Sequence, residues 1–158
     1  MPKQSPPHPR AVESEQTFAI VESQFNARYV EGLVEHAERE LHALAPNATI
    51  FVQRVPGAFE IPVIVRELAK TEKANAVIAC GVIMKGETNH AKNLSRSVTD
   101  ALQLIAVDCG VPVINVVLSF DSEEQARERC LGEEINRGTE AARAAVEIAN
   151  VMSELRRK

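Results

Sequence analysis

Ala76-Val77-Ile78-Ala79-Cys80, running into Gly81-Val82-Ile83-Met84-Lys85-Gly86-Glu87-Thr88-Asn89-His90, is the stretch from which the fold can be read. Its first five residues are small or β-branched and apolar without a break, as expected of a strand covered on both faces. The Gly81–Asn89 segment reads as a loop, and a long helix is expected from near Thr88 to Cys109. Leu94, Val98, Ala101, Leu102 and Ile105 form its inner face at steps of three or four. Gly110 is placed to end this helix in the left-handed conformation, with Pro112 just beyond. The apolar run Val113–Leu118 is then a further buried strand.

The same alternation extends in both directions. Upstream, Thr17–Val21 reads as a strand, and Val30, Leu33, Val34, Ala37, Leu41 and Leu44 mark an amphipathic helix stopped by Pro46-Asn47. Thr49–Val55 is a second strand, and a helix is expected from Glu60 to about Lys70, with Pro62 tolerable in its first turn. Downstream, Glu123 to about Cys130 reads as a short helix and Arg137–Leu155 as a long one. Strands alternating with helices predict a single-domain, three-layer α/β sandwich: a four-stranded parallel sheet, flavodoxin-like, with helices on both faces. Ligand sites are expected at the carboxyl ends of its strands.

Composition bounds the function. The chain has 158 residues, room for one domain with one core, and its 45% hydrophobic and 25% charged residues suit a globular protein. With 18 Lys and Arg against 22 Asp and Glu there is no basic excess for nucleic acid, and 4% aromatics supply few stacking surfaces. No apolar run approaches the roughly 18 residues of a membrane span. Cys80, Cys109 and Cys130 lack CxxC spacing and the four His are scattered, so neither a metal site nor a disulfide framework is expected. Residues 1–15, with Pro2, Pro6, Pro7 and Pro9, read as a flexible tail without an apolar leader, and 16–158 as the folded domain. A cytoplasmic setting follows as an expectation. The last helix carries Ala141, Ala142, Ala144, Ala145 and Ala149 around much of its girth. That suggests an oligomer interface, or simply high helix propensity.

The four loops at the strand ends hold the unusual residues. In Ser23-Gln24-Phe25-Asn26, Phe25 is either the wall of a ligand cleft or a core plug, and Asn26 could cap the next helix. Val55-Pro56-Gly57-Ala58-Phe59-Glu60-Ile61-Pro62 is a stiff turn that would orient Glu60, or merely a tight turn. Gly86, Glu87 and Thr88 precede a helix start, whose free N–H groups and partial positive charge suit a phosphate. Thr88 could instead cap that helix, and neither a Walker A nor a GxGxxG pattern is present. His90 is the histidine nearest this region, with the ordinary range of a proton carrier, although a surface role is open to it. Arg127, Arg129 and Arg137 could hold a phosphate through a planar fork, or be solvated charge beside Glu123, Glu124 and Glu128.

Taken together in order and spacing, these motifs resemble the lumazine synthase family. The pieces are Ser-Gln-Phe-Asn at 23–26, Val-Pro-Gly-Ala-Phe-Glu-Ile-Pro at 55–62 and Gly-Val-Ile-Met-Lys-Gly-Glu-Thr-Asn-His at 81–90. Val-Pro-Val-Ile-Asn-Val-Val-Leu at 111–118, Glu-Gln-Ala-Arg-Glu-Arg at 124–129 and Asn-Arg-Gly-x-Glu-Ala-Ala at 136–142 complete the set. The resemblance implies condensation of 5-amino-6-(D-ribitylamino)uracil with 3,4-dihydroxy-2-butanone 4-phosphate, in riboflavin biosynthesis, without metal or redox cofactor. It implies that Phe25 stacks on the pyrimidine with Asn26 beside it, and that Ala58, Phe59 and Glu60 hold the ribityl chain. Ile83, Met84 and Asn115 would line the ring pocket, Gly86, Glu87, Thr88 and Arg129 would bind phosphate, and Arg137 would stand where Lys is usual. His90 would move the protons. It further implies homo-oligomers built from pentamers, some closing into icosahedral capsids, with substrates bound at subunit interfaces.

Ala91-Lys92, Ser97 and Asn115 depart from the family pattern, which has an aromatic and an acid after the histidine. These departures leave two alternatives beside the enzyme: a shell protein of the same fold without catalysis, or a ribityl-pyrimidine or flavin binder.

Overall fold

The computed structural model describes residues 7–8, 15–71 and 74–157. Its first strand, β1 (Thr17–Ser23), leads into α1 (Ala27–Leu44) and then β2 (Thr49–Val55). A single 3-10 turn at Ala58–Glu60 precedes α2 (Ile61–Thr71). There follow β3 (Ala76–Met84), α3 (His90–Cys109), β4 (Val113–Phe120), α4 (Glu123–Cys130) and α5 (Arg137–Arg157). The four strands form one parallel sheet in the order β2-β1-β3-β4. Of the proline-rich tail, most lies outside the described residues; His8 has its Nε2 3.1 Å from Glu40 Oε1 on α1.

Alternation along the strands divides the core into two layers. Phe18 and Ile20 of β1, with Ile78, Cys80 and Val82 of β3, face one cluster closed by Leu33, Leu41 and the small residues of α5. Ala19, Val21, Val77 and Ala79 face the other, closed by Ile61 and Val65 of α2 and by Val98, Leu102 and Ile105 of α3. Helices therefore cover both faces, as the uninterrupted apolar strand required. Each fully buried Leu or Ile contributes about 1.5–3 kcal/mol relative to an exposed one.

Several boundaries, and the use of one set of small residues, differ from the sequence expectation for physical reasons. β3 continues past Gly81 to Met84 because Val82, Ile83 and Met84 pair in register with Leu118, Ser119 and Phe120, which also lengthens β4. α2 begins at Ile61 because Ala58–Glu60 is wound as a 3-10 turn. α3 begins at His90 rather than near Thr88, leaving Gly86–Asn89 in the loop. Finally, the alanines of α5 are used within the chain: Ala141, Ala142, Ala145 and Ala149 are buried against α1 and the sheet. A Cβ on Gly138 would come within 2.1 Å of the Leu33 carbonyl oxygen. The small residues thus let α5 lie close on α1, and they do not by themselves mark a subunit interface.

Candidate active site

The loops after β1 and β2 are tied together. The Gln24 N–H donates to the carbonyls of Val55, at 2.9 Å, and Pro56, at 3.2 Å. Asn26 takes the left-handed conformation with φ 57°, which its short polar side chain tolerates. Its amide donates to the Val82 carbonyl at 2.7 Å and makes no side-chain cap on α1, so its role is to bind the β1 loop to β3. Phe25 is 71% exposed, which excludes the core-plug alternative. Phe59 is 68% exposed, Glu60 is exposed, and Ala58 is buried. A Cβ on Gly57 would lie 3.1 Å from Glu60 Oε2 and 3.2 Å from Phe25 Cδ2. A side chain at 57 would make the ring or the carboxylate give way by a few tenths of an ångström.

The β3–α3 loop stands beside this group through Ile83, which is buried, and Met84, which is half-buried. Lys85 is fixed at its backbone, with N–H to the Phe120 carbonyl at 3.0 Å, and at its ammonium, 3.0 Å from Asp121. Gly86, Glu87, Thr88, Asn89 and His90 are all exposed, and the space beside the Gly86 Cα is open. The Thr88 hydroxyl accepts from the His90 N–H at 3.4 Å, so Thr88 faces the start of α3 although Asn89 holds the cap position. Gly86 and Thr88 line a cleft of about 600 Å³ that runs between α3 and Ser119 at the end of β4.

On the far side of Ser119 lies a smaller cleft of about 220 Å³ bounded by Phe120, Asp121, Gln125 and Arg129. Ser122 caps α4 by accepting from the Gln125 N–H at 3.3 Å, and Gln125 Oε1 accepts from the Asp121 N–H at 3.0 Å. This fixes the turn from which Arg129 projects. Arg129 Nη1 is buried with no hydrogen-bond partner, as is Ser119 Oγ. Among the described residues no ion pair involves Arg127 or Arg129, so Glu123, Glu124 and Glu128 do not hold them. A buried guanidinium nitrogen without an acceptor is expensive, and an anion is what would satisfy it.

The linker after α4 is locked. The Asn136 amide donates to the carbonyls of Cys130 and Gly132, each at 3.0 Å, and its Oδ1 accepts from the N–H groups of Gly138 and Thr139. Glu133 meets Arg39 at 2.8 Å and His36 at 3.3 Å; the Arg39 guanidinium, helped by His36, holds its carboxyl below the usual range. Arg137 is 8% exposed and ion-paired with Glu140.

Asn115 sits in mid-strand, opposite Ala79, where its amide donates to Thr99 at 3.3 Å and its oxygen accepts from the Val117 N–H at 3.0 Å. Neither Asn115 nor Arg137 lines the two clefts at Ser119.

Phe25 and Glu60 therefore meet over Gly57, Asn26 is tied to Val82, and Ala58 and Ile83 share one core layer, while Met84 packs on the opposite layer and Arg129 lines its own cleft. Sequence reasoning missed the buried Glu22, whose carboxylate meets Arg54 at 2.9 Å across β1 and β2. An acidic residue inside an apolar strand was the available signal.

Burial pushes the Cys80 thiol far up, with Glu22 and Cys130 adding to it, and pushes Cys130 up to about 12. Both are neutral thiols and unsuited to nucleophilic work. Among the described residues no cluster of His, Cys, Asp or Glu could hold a metal, and no helix is long and apolar enough to cross a membrane.

Residues 15–153 match the family model described as 6,7-dimethyl-8-ribityllumazine synthase. The chain is 36% identical over 140 residues to the 6,7-dimethyl-8-ribityllumazine synthase of Stenotrophomonas maltophilia (strain R551-3), covering 87% of this chain and 90% of that one. It is 38% identical over 137 residues to the enzyme of the same description in Xanthomonas oryzae pv. oryzae (strain PXO99A), covering 85% and 88%. With the fold, the strand-end loops and these matches in agreement over nearly its whole length, the chain belongs to the 6,7-dimethyl-8-ribityllumazine synthase family.

Proposed function

We propose that this protein condenses 5-amino-6-(D-ribitylamino)uracil with 3,4-dihydroxy-2-butanone 4-phosphate to 6,7-dimethyl-8-ribityllumazine, phosphate and water. Membership of the family supports the reaction. The observation in the molecule that carries it is the pairing of an exposed ring group, Phe25 with Phe59 and Glu60, with a buried Arg129 nitrogen that lacks an acceptor. Phe25 offers a flat face to the pyrimidine, and Ala58, Phe59 and Glu60 meet the ribityl hydroxyls. Gly86, Thr88 and the start of α3 receive the phosphate, with Arg129 as its clamp.

The amine attacks the ketone and water leaves to give an imine; phosphate is then eliminated, and the ribitylamino nitrogen closes the ring on the remaining carbonyl with loss of a second water. Each step moves a proton, and on this reading the role of carrier falls to His90, the exposed first residue of α3. Holding the two substrates in line supplies much of the rate, an effect worth roughly 7–11 kcal/mol in well-oriented systems.

The site is completed between subunits, in homo-oligomers built from pentamers and working in the cytoplasm. Two observations support a shared site: Phe25 and Phe59 expose large apolar rings, and Asn115 and Arg137 line neither of the clefts at Ser119. Mixing the purified protein with both substrates should produce the absorbance and fluorescence of the lumazine. Absence of turnover by well-folded, assembled protein would overturn this reading and favour a non-catalytic shell.

A further inference from the structure

The 600 Å³ cleft between α3 and the end of β4 has a one-sided charge. Lys85, Lys92 and Arg96 line it together with the hydroxyl-bearing Thr88, Ser95 and Ser119, and none of its lining residues is acidic. Lys85 is neutralised by Asp121. Lys92 and Arg96 take part in none of the ion pairs found among the described residues.

Their placement is unfavourable for the free chain. Four residues apart on α3, they share one face, where like charges repel. Lys92 also stands in the first turn of the helix, at the positive end of its dipole, where a cation is disfavoured. Among the described residues, no ion pair offsets either penalty. The buried Ser119 Oγ at the cleft wall lacks a partner as well. Two unpaired cations, an unpaired hydroxyl and a helix start around one concavity fit a phosphate dianion. The volume exceeds that of phosphate alone and is in the range of pockets for small organic ligands.

We propose that this cleft captures a phosphate-bearing ligand, the phosphorylated four-carbon ketone, beside the Gly86–Thr88 loop that forms part of its wall, with Lys92 and Arg96 as specificity-determining residues. The inference rests on the condensation reading above. Free phosphate, the product, shares this chemistry and would compete for the same cations. Fields focused in a cleft of one sign raise the local concentration of an oppositely charged substrate, and the effect falls as salt rises.

The test compares wild type with Lys92→Ala, Arg96→Ala, their double variant, Lys92→Arg, and Lys70→Ala as a remote loss of one charge. Steady-state kinetics with both substrates and binding of inorganic phosphate are measured at low and high salt. Each alanine variant should raise KM for the phosphorylated ketone roughly three- to fivefold at low salt, the double variant more, and weaken phosphate binding in parallel. KM for the ribitylamino-uracil should stay constant, Lys92→Arg should behave as wild type, and Lys70→Ala should change nothing.

Because the substitutions relieve repulsion, their thermal midpoints should equal or exceed that of wild type. A double variant with unchanged ketone KM and unchanged phosphate binding, or with effects matched by Lys70→Ala, would overturn the proposal while leaving the condensation intact. If phosphate binding weakens but the ketone KM does not, the cleft serves the free anion and the ketone assignment is overturned. If wild type shows no turnover, the condensation reading fails, and phosphate binding by wild type and the double variant decides the cleft alone.

Discussion

Phe25 and Arg129 depart from ordinary burial in opposite senses. The first is a large apolar ring left 71% exposed, while the second carries a guanidinium nitrogen buried without an acceptor. The two regions around them differ in the same way. The loops after β1 and β2 and the loop before α3 are tied down by backbone hydrogen bonds but open their side chains outward. The stretch from α4 into α5 is packed on α1, closed by Asn136, and turns polar groups inward. The first region presents exposed rings, and the second a buried guanidinium nitrogen. On the proposed function, these two regions are the halves of a site shared between subunits.

The largest expected effect concerns the rigidity of the second region. Asn136→Ala removes four hydrogen bonds that close the linker and should lower unfolding free energy by about 3 kcal/mol. Urea denaturation of this variant beside Phe59→Ala, which should stay within about 0.5 kcal/mol of wild type, measures the contrast directly. Equal losses would erase the distinction between a locked and an open region.

Arg129→Ala comes next. Deleting a charge-assisted clamp should reduce kcat/KM for the phosphorylated ketone by roughly 50-fold. Stability should hold or rise, since the orphaned nitrogen leaves with the side chain. Phe25→Ala should act on the other substrate, raising KM for the ribitylamino-uracil about tenfold through lost ring stacking. Should the two variants impair the same substrate, the division of labour between the regions is wrong.

The smallest effect is in the pH dependence of stability. Cys130, at the end of α4, and Cys80 beneath it both have thiol pKa values raised by burial. A group whose folded pKa is raised contributes fully below its unfolded value, near 8.5, and loses that contribution as pH rises above it. The urea midpoint should therefore decline from about pH 8.5 upward, and Cys130→Ala should flatten that decline. At neutral pH a thiol reagent should label the half-buried Cys109 in the folded protein and reach Cys80 and Cys130 only on unfolding.

Much of this architecture is legible in the residues. The unbroken Ala76–Cys80 run fixes a strand covered on both faces, and Gly110 ends α3 with φ 64°, as its position suggested. Periodicity fails where pairing takes over: Gly81 looks like a stop, yet the register with β4 carries β3 on to Met84. It also cannot say which of the alanines of α5 serve the core: Ala141, Ala142, Ala145 and Ala149 pack within the chain, while Ala144 is left half-buried. The loops announce their chemistry through residue type. Their exposure does not follow from type: a Phe at a strand end is as compatible with a core as with a cleft. Position along the chain likewise hides that Lys92 and Arg96 share one cleft wall, since only the helix brings residues four apart onto one face.

The central claim is that the His90 side of one chain works with the Arg129 side of another. It is tested most directly by reassembling His90→Ala subunits with Arg129→Ala subunits after dissociation and assaying lumazine formation. The account predicts that mixed assemblies recover activity well above the sum of the two parents, because some interfaces then pair an intact His90 with an intact Arg129. Mixed assemblies no more active than the parents, while wild-type subunits treated in the same way regain full activity, would place both groups in a site within one chain and contradict it.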